Sequence, residues 1–116
     1  MRPDVAPVPR PAWHPLPFEG CVNVEFKVLL ADEPRLLLAM LRFGPNGTIH
    51  EHPGPEDTTV VCLEGEGFTS VGGEVSPLRA GERVLWPSGV PHRLWTEEET
   101  MTTLMIERPP GTFAGG

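Results

Sequence analysis

The sequence predicts an all-β domain, a sandwich or small barrel of short strands. Three observations carry that expectation. From Val22 onward, turn signals recur roughly every eight to twelve residues, the spacing of antiparallel β-architectures. No window holds a sustained apolar stripe with helical period, and the chain's 15 prolines interrupt most candidates. Gly72-Gly73, set between Val71 and Glu74, fits the two-residue loop of a β-hairpin.

Taken in order, residues 1–20 form a Pro-rich leader with six prolines before residue 18. Such a segment is neither helix nor central strand. It is expected as an extended arm over the body or across a partner subunit, with His14 facing solvent. Strands are expected near 22–30, 35–43, 47–52, 58–64, 67–71, 74–77, 82–86, 91–96 and 100–107. Gly44-Pro45-Asn46-Gly47 reads as a turn cluster, and Gly65-Glu66-Gly67 supplies the positive φ angles of a tight reversal. The end of the chain, 109–116, is rich in Gly and Pro and is expected as a flexible tail. A single domain follows: arm 1–20, barrel 21–108, tail 109–116.

Composition narrows the classes of function. The net charge of -7 and a single lysine, Lys27, argue against a nucleic-acid surface. Leu36 to Leu41, the longest apolar run, is far too short to span a bilayer. The leader lacks the apolar segment of a secretory signal, so a soluble cytoplasmic protein is expected. Cys21 and Cys62 cannot support a disulfide framework. Two Asn, no Gln and a preference for Arg over Lys resemble heat-adapted proteins, which predicts a thermostable fold. A small chain with an extended arm also predicts a homodimer, the commonest closed assembly.

Two segments about forty residues apart carry the chemistry. The first reads Gly44-x5-His50-x-His52-x3-Glu56, the second Gly81-x5-Pro87-x-Gly89-x2-His92. Side chains two apart on a strand share a face, so His50 and His52 are expected to project together with Glu51 outward. A strand ending at Trp86, a turn through Pro87 and Gly89, and His92 opening the next strand would return a third imidazole. Three imidazoles and one carboxylate form a donor set for a divalent transition metal.

These residues resemble the cupin superfamily, whose first motif is Gly-x5-His-x-His-x(3,4)-Glu-x6-Gly and whose second is Gly-x5-Pro-x-Gly-x2-His-x3-Asn. The resemblance covers about residues 35–107, with Thr96 where Asn is usual. It implies a double-stranded β-helix, or jelly-roll, barrel in which His50, His52, Glu56 and His92 ligate one metal ion at the barrel mouth. The chain departs from the pattern at one place: Gly65 lies nine residues beyond Glu56, not seven. Counting back from Gly65 puts Thr58 at the position of the ligand Glu. Glu56 shares strand parity with Thr58 and could return through a loop or bulge. Asp57 has the opposite parity unless a bulge intervenes, and three histidines completed by water are a further alternative.

Within the cupins this ligand set serves dioxygenases (iron, nickel or copper), isomerases and decarboxylases (often manganese) and zinc-bound regulatory modules. The resemblance therefore implies a metal-dependent enzyme, dioxygenase- or isomerase-like, acting on a small organic acid, phenolic or keto compound. The alternative is a non-catalytic metal-binding module for small-molecule sensing or regulation. The absence of tyrosine excludes a thiol dioxygenase built on a Cys–Tyr crosslink. The remaining candidates have plainer readings. Cys62 reads as inward filler before a reactive thiol; Trp86, Trp95 and Phe68 pack the barrel or a subunit contact, or one of them lines a pocket; Arg42 is an exposed edge residue or, if inward, a partner for an anionic ligand; and Thr96 bonds local backbone. Glu97-Glu98-Glu99 reads as a solvated loop.

Overall fold

The computed structural model describes residues 2–32 and 35–113. These residues form eight strands and no helix: β1 (His14–Pro15), β2 (Val22–Asp32), β3 (Leu36–Pro53), β4 (Asp57–Val71), β5 (Glu74–Arg79), β6 (Arg83–Trp86), β7 (Pro91–Trp95) and β8 (Met101–Arg108). No helix is therefore long and apolar enough to cross a membrane among the described residues.

Two long strands organise the barrel. The first half of β3, Leu37 to Phe43, pairs β8, and its second half, from Thr48, pairs β7. The first half of β4, Asp57 to Gly65, pairs β8, whereas Phe68 to Val71 pair β7. The circuit β3–β8–β4–β7 thus closes on itself, and every pairing in it is antiparallel. One sheet extends outward through β2 and β1 on one side and β6 on the other; the opposite sheet extends through β5. The structure is the expected jelly-roll, a double sheet whose inner faces make the core. Leu41, Phe43, Val60, Cys62, Leu94 and Met101 are buried there together with Trp86. Each large apolar side chain placed there contributes about 1.5–3 kcal/mol relative to exposure.

Nine strands were expected: two corners merge four of them into β3 and β4, and the leader adds the unexpected two-residue β1. Gly44-Pro45-Asn46-Gly47 does not end a strand. Val22 pairs Thr48 while Val24 pairs Phe43, so Asn23 alone faces four residues of β3. The signals mark a large bulge that turns one continuous strand from sheet to sheet. Its backbone groups are satisfied locally, as buried polar groups must be. Asn23 donates from Nδ2 to the Pro45 carbonyl at 2.9 Å, and Asn46 donates its N–H to the Glu97 carbonyl at 2.7 Å. The Thr96 hydroxyl donates to the Gly44 carbonyl at 2.6 Å and accepts the Gly47 N–H at 2.9 Å. Thr96 thus takes the expected backbone-bonding role.

The second corner is Gly65, where β4 changes partners with φ at +76°. It too bends a strand without reversing it. The hairpin at Gly72-Gly73 forms as expected, with φ of 58° and 85° and Val71 opposite Glu74.

The leader lies against the barrel along the outer edge of β2. His14 pairs Phe26, Arg10 donates its N–H to Val28 O at 3.1 Å, and Leu16 donates to Val24 O at 3.0 Å. Trp13 anchors it, with the Lys27 ammonium 4.7 Å and the Arg42 guanidinium 4.3 Å from its ring. Exposed Arg42 also pairs Glu25 at 2.9 Å. At the other end, Pro109 to Phe113 turns back on the barrel, and the Phe113 N–H donates to Asp57 Oδ2 at 3.0 Å. Residues 114–116 of the expected tail lie outside the described residues.

Gly65→Ala tests the second corner. A Cβ at this site would collide with the Thr100 carbonyl, and the backbone is left-handed. Urea denaturation is expected to show a loss of about 2 kcal/mol or more.

Candidate metal centre

The corner at Gly44–Gly47 sends the end of β3 into the second sheet, beside β7. There His52 pairs directly with His92, and Ile49 with Leu94. Two residues, His50 and Glu51, separate the pairs on β3 against one, Arg93, on β7. This bulge breaks the simple alternation expected of His50 and His52. Ile49 stays in the core, yet both imidazoles still border one cavity of about 350 Å³. Glu56 and His92 border the same cavity, so all four sequence-predicted residues meet at one end of the barrel.

The ring centroids of His50 and His52 are 5.1 Å apart, and those of His52 and His92 are 4.7 Å apart. Two of the rings are oriented by backbone. His52 Nδ1 lies 2.8 Å from the His50 carbonyl, and His92 Nδ1 lies 3.2 Å from the Val90 carbonyl. A carbonyl only accepts, so each Nδ1 carries a proton, and in the neutral ring the lone pair is left on Nε2. His92 is held further by Trp86, stacked on it at 4.0 Å with the planes 9° apart. Burial, reinforced by His52, lowers the His92 pKa to about 4. It is therefore neutral near pH 7, the form that ligates metal.

These features fit a divalent transition metal. Backbone-bound Nδ1–H groups behind free Nε2 atoms are the usual support of metal-ligating histidines. Among the described residues, no group of three or more His, Cys, Asp or Glu side chains stands in a geometry that could hold a metal ion. Gripping an ion would require the rings and one carboxylate to draw inward from their present positions.

The candidate carboxylates separate clearly. Asp57 does not border the cavity. Its Oδ1 accepts the Ser88 N–H at 2.8 Å and its Oδ2 accepts the Phe113 N–H, so it fastens the turn before β7 and the end of the chain to β4. Those bonds hold its carboxyl below the usual carboxylate range. Glu56 lies in the short loop between β3 and β4. Thr58, buried at the start of β4, faces the cavity where family spacing would put a ligand Glu.

Two titratable cavity residues escaped sequence reasoning. Glu107, near the end of β8, borders the cavity, and burial raises its pKa, with the Glu56 charge adding to the rise and His52 opposing it. A signal for it existed: Met101, Thr103, Met105 and Glu107 share strand parity, and the first two are wholly buried. Cys21 also borders the cavity, its Sγ 4.0 Å from His50 Nδ1, and burial raises its thiol pKa. Leu16 and Phe18 beside it make the leader part of the cavity wall. Of the other candidates, Cys62 is fully buried, whereas Phe68 and Trp95 stack on each other at 5.8 Å away from this cavity.

The lowered pKa of Asp57 has a pH signature. Its ionised form is favoured by folding, so its contribution is complete above about 3.8 and fades as pH falls through the lower folded value. Asp57→Asn is expected to lower the urea midpoint at pH 7, with the gap to wild type narrowing below pH 3.8. A constant gap would contradict this account.

Comparison with known proteins agrees with the architecture. A family profile described as the cupin domain matches residues 39–107. No curated protein sequence matches the chain. Among solved structures, the polyketide cyclase RemF from Streptomyces resistomycificus superposes with a TM-score of 0.77 at 23% identity, over 95% of this chain and 83% of that one. A cupin 2 conserved barrel domain protein from Leptotrichia buccalis gives a TM-score of 0.70 at 30% identity, covering 78% of this chain but 42% of its own. A predicted oxalate decarboxylase from Thermotoga maritima gives 0.68 at 24% identity, over 74% of this chain and 80% of that one. With the profile spanning more than half its length and the closed double sheet in place, this chain belongs to the cupin family.

Proposed function

We propose that this protein is a metal-dependent enzyme acting on an uncharged or weakly acidic keto or phenolic compound. His50, His52 and His92 would hold one divalent ion, together with a carboxylate from the cavity wall. The observation that carries the reading is the convergence of three imidazoles on one cavity, with the Nδ1 atoms of His52 and His92 committed to backbone carbonyls. Iron, manganese, zinc, nickel and copper all suit such a nitrogen and oxygen set. A bound ion supplies Lewis acidity toward a substrate oxygen.

The rest of the cavity supports the choice of substrate. Leu41, Ile49, Trp86 and Met105 give it an apolar wall, and Leu16 and Phe18 of the leader add to it. No Lys or Arg borders it among the described residues, whereas Glu56 and Glu107 both do. A dicarboxylate would meet like charge and find no side-chain cation to balance it. A ring-sized molecule with one or two oxygens meets neither penalty. A cavity of about 350 Å³ lies at the lower end of ordinary ligand sites. In this arrangement Trp86 and Met105 exclude water, and the carbonyls of His50 and Val90 hold two of the rings in the ligating tautomer.

Elemental analysis of protein purified without added metal tests the centre. Wild type is expected to carry close to one equivalent of a transition metal, and His52→Ala to lose it. Equal metal in both proteins would remove the proposal. The substrate class is tested with cobalt-loaded protein and a panel of phenols, β-diketones and short dicarboxylates. The visible spectrum is expected to shift with the first two classes and not with the third. A response to dicarboxylates alone would reverse the substrate assignment.

A further inference from the structure

The family spacing asks for a carboxylate at position 58, where this chain has Thr58. Thr58 is buried, borders the cavity, and lies between two partners: Trp86 on β6 and Glu107 on β8. Trp86 is the residue stacked on His92. Glu107 is therefore one strand removed from the expected ligand position, about 4.8 Å away along the hydrogen-bonding direction. It points into the same cavity from the sheet facing the histidine strands.

Glu107 is also anchored and unpartnered. Its backbone is held in register on both sides, by Leu37 of β3 and Thr58 of β4. Glu56, in contrast, sits in a loop outside any strand. Among the described residues no hydrogen bond or ion pair engages the Glu107 carboxylate. The half-buried Glu107 carboxylate is thus free to take a ligand from the cavity. No Lys or Arg of the cavity wall pairs with it. The nearby donors are the imidazole of His52 and the other carboxylate, Glu56.

We propose that Glu107, supplied from β8 across the barrel, is the carboxylate ligand of the metal centre, standing in for the Glu that Thr58 replaces. Glu56 is then a loop residue at the cavity rim and not a ligand. This inference rests on the metal-centre reading above, and its test separates the two.

The measurement is the affinity of apo protein for Zn²⁺, by competition with a chromophoric chelator, with the Co²⁺ visible spectrum as a second readout. Glu107→Gln is expected to weaken Zn²⁺ binding by at least about 10- to 100-fold and to alter the Co²⁺ spectrum. Glu56→Gln is expected to change neither beyond about twofold, a margin well under the loss of one metal ligand. In the Glu107→Gln background, Thr58→Glu is expected to recover most of the lost affinity, because it restores a carboxylate at the family position. The melting temperature of apo Glu107→Gln should match that of wild type, since the carboxylate makes no hydrogen bond or ion pair among the described residues. If that variant does not fold, Glu107→Asp, which keeps the charge but withdraws it, takes its place. It should also bind Zn²⁺ more weakly, and wild-type affinity would overturn the proposal. Wild-type affinity in Glu107→Gln with a loss in Glu56→Gln would overturn this inference and leave the metal centre standing. No Zn²⁺ or Co²⁺ binding by wild type would overturn both.

Discussion

The fold depends on two strands that each belong to both sheets. β3 and β4 pair β8 with one half and β7 with the other, which turns two open sheets into a closed circuit. Closure removes interior edges and aims the start of β4, the end of β3 and the end of β8 at one end of the barrel. Everything chemically notable in the chain gathers at that end. The corners that permit it are held by backbone and hydroxyl bonds, with Thr96 tying both sides of the β3 bulge. A threonine does here what longer polar side chains do elsewhere: it occupies the carbonyl and the N–H that a bent strand leaves unpaired.

Charge in the cavity is arranged in an unusual balance. Two carboxylates and three imidazoles face a mostly apolar space that no arginine or lysine enters among the described residues. His92 is kept neutral by burial under Trp86, and Glu107 is pushed toward its neutral form for the same reason. The site as it stands is thus short of positive charge. A divalent ion bound there, as proposed, would compensate the Glu107 carboxylate. Asp57 shows the contrasting case: its carboxylate takes two backbone N–H bonds, stays ionised and serves only to fasten chain segments.

Much of this was legible in the sequence. The all-β class, the hairpin at Gly72-Gly73, the grouping of His50, His52 and His92, and the inward Cys62 could all be read from spacing and residue type. The corners were harder, because glycine, proline and asparagine mark any departure from regular backbone. The same residues serve a reversal at Gly72-Gly73 and a bulge at Gly44–Gly47, and only the pairing partners distinguish them. Glu107 escaped because motif reasoning looks along the chain, whereas its relation to Thr58 runs across a ladder between residues nearly fifty positions apart. The role of the leader was half legible. Its extended form followed from proline content, but its place in the cavity wall depended on contacts that Leu16 and Phe18 make only after folding.

The stacking of Trp86 on His92 has a consequence for observation. An indole in face contact with an imidazole emits less light once that imidazole becomes cationic or its electrons are shared with another centre. The other two tryptophans, Trp13 and Trp95, lie under cationic side chains away from the cavity. A change in the charge of His92 therefore registers in the fluorescence of one buried residue, and the protein carries its own optical gauge of that ring without any added label.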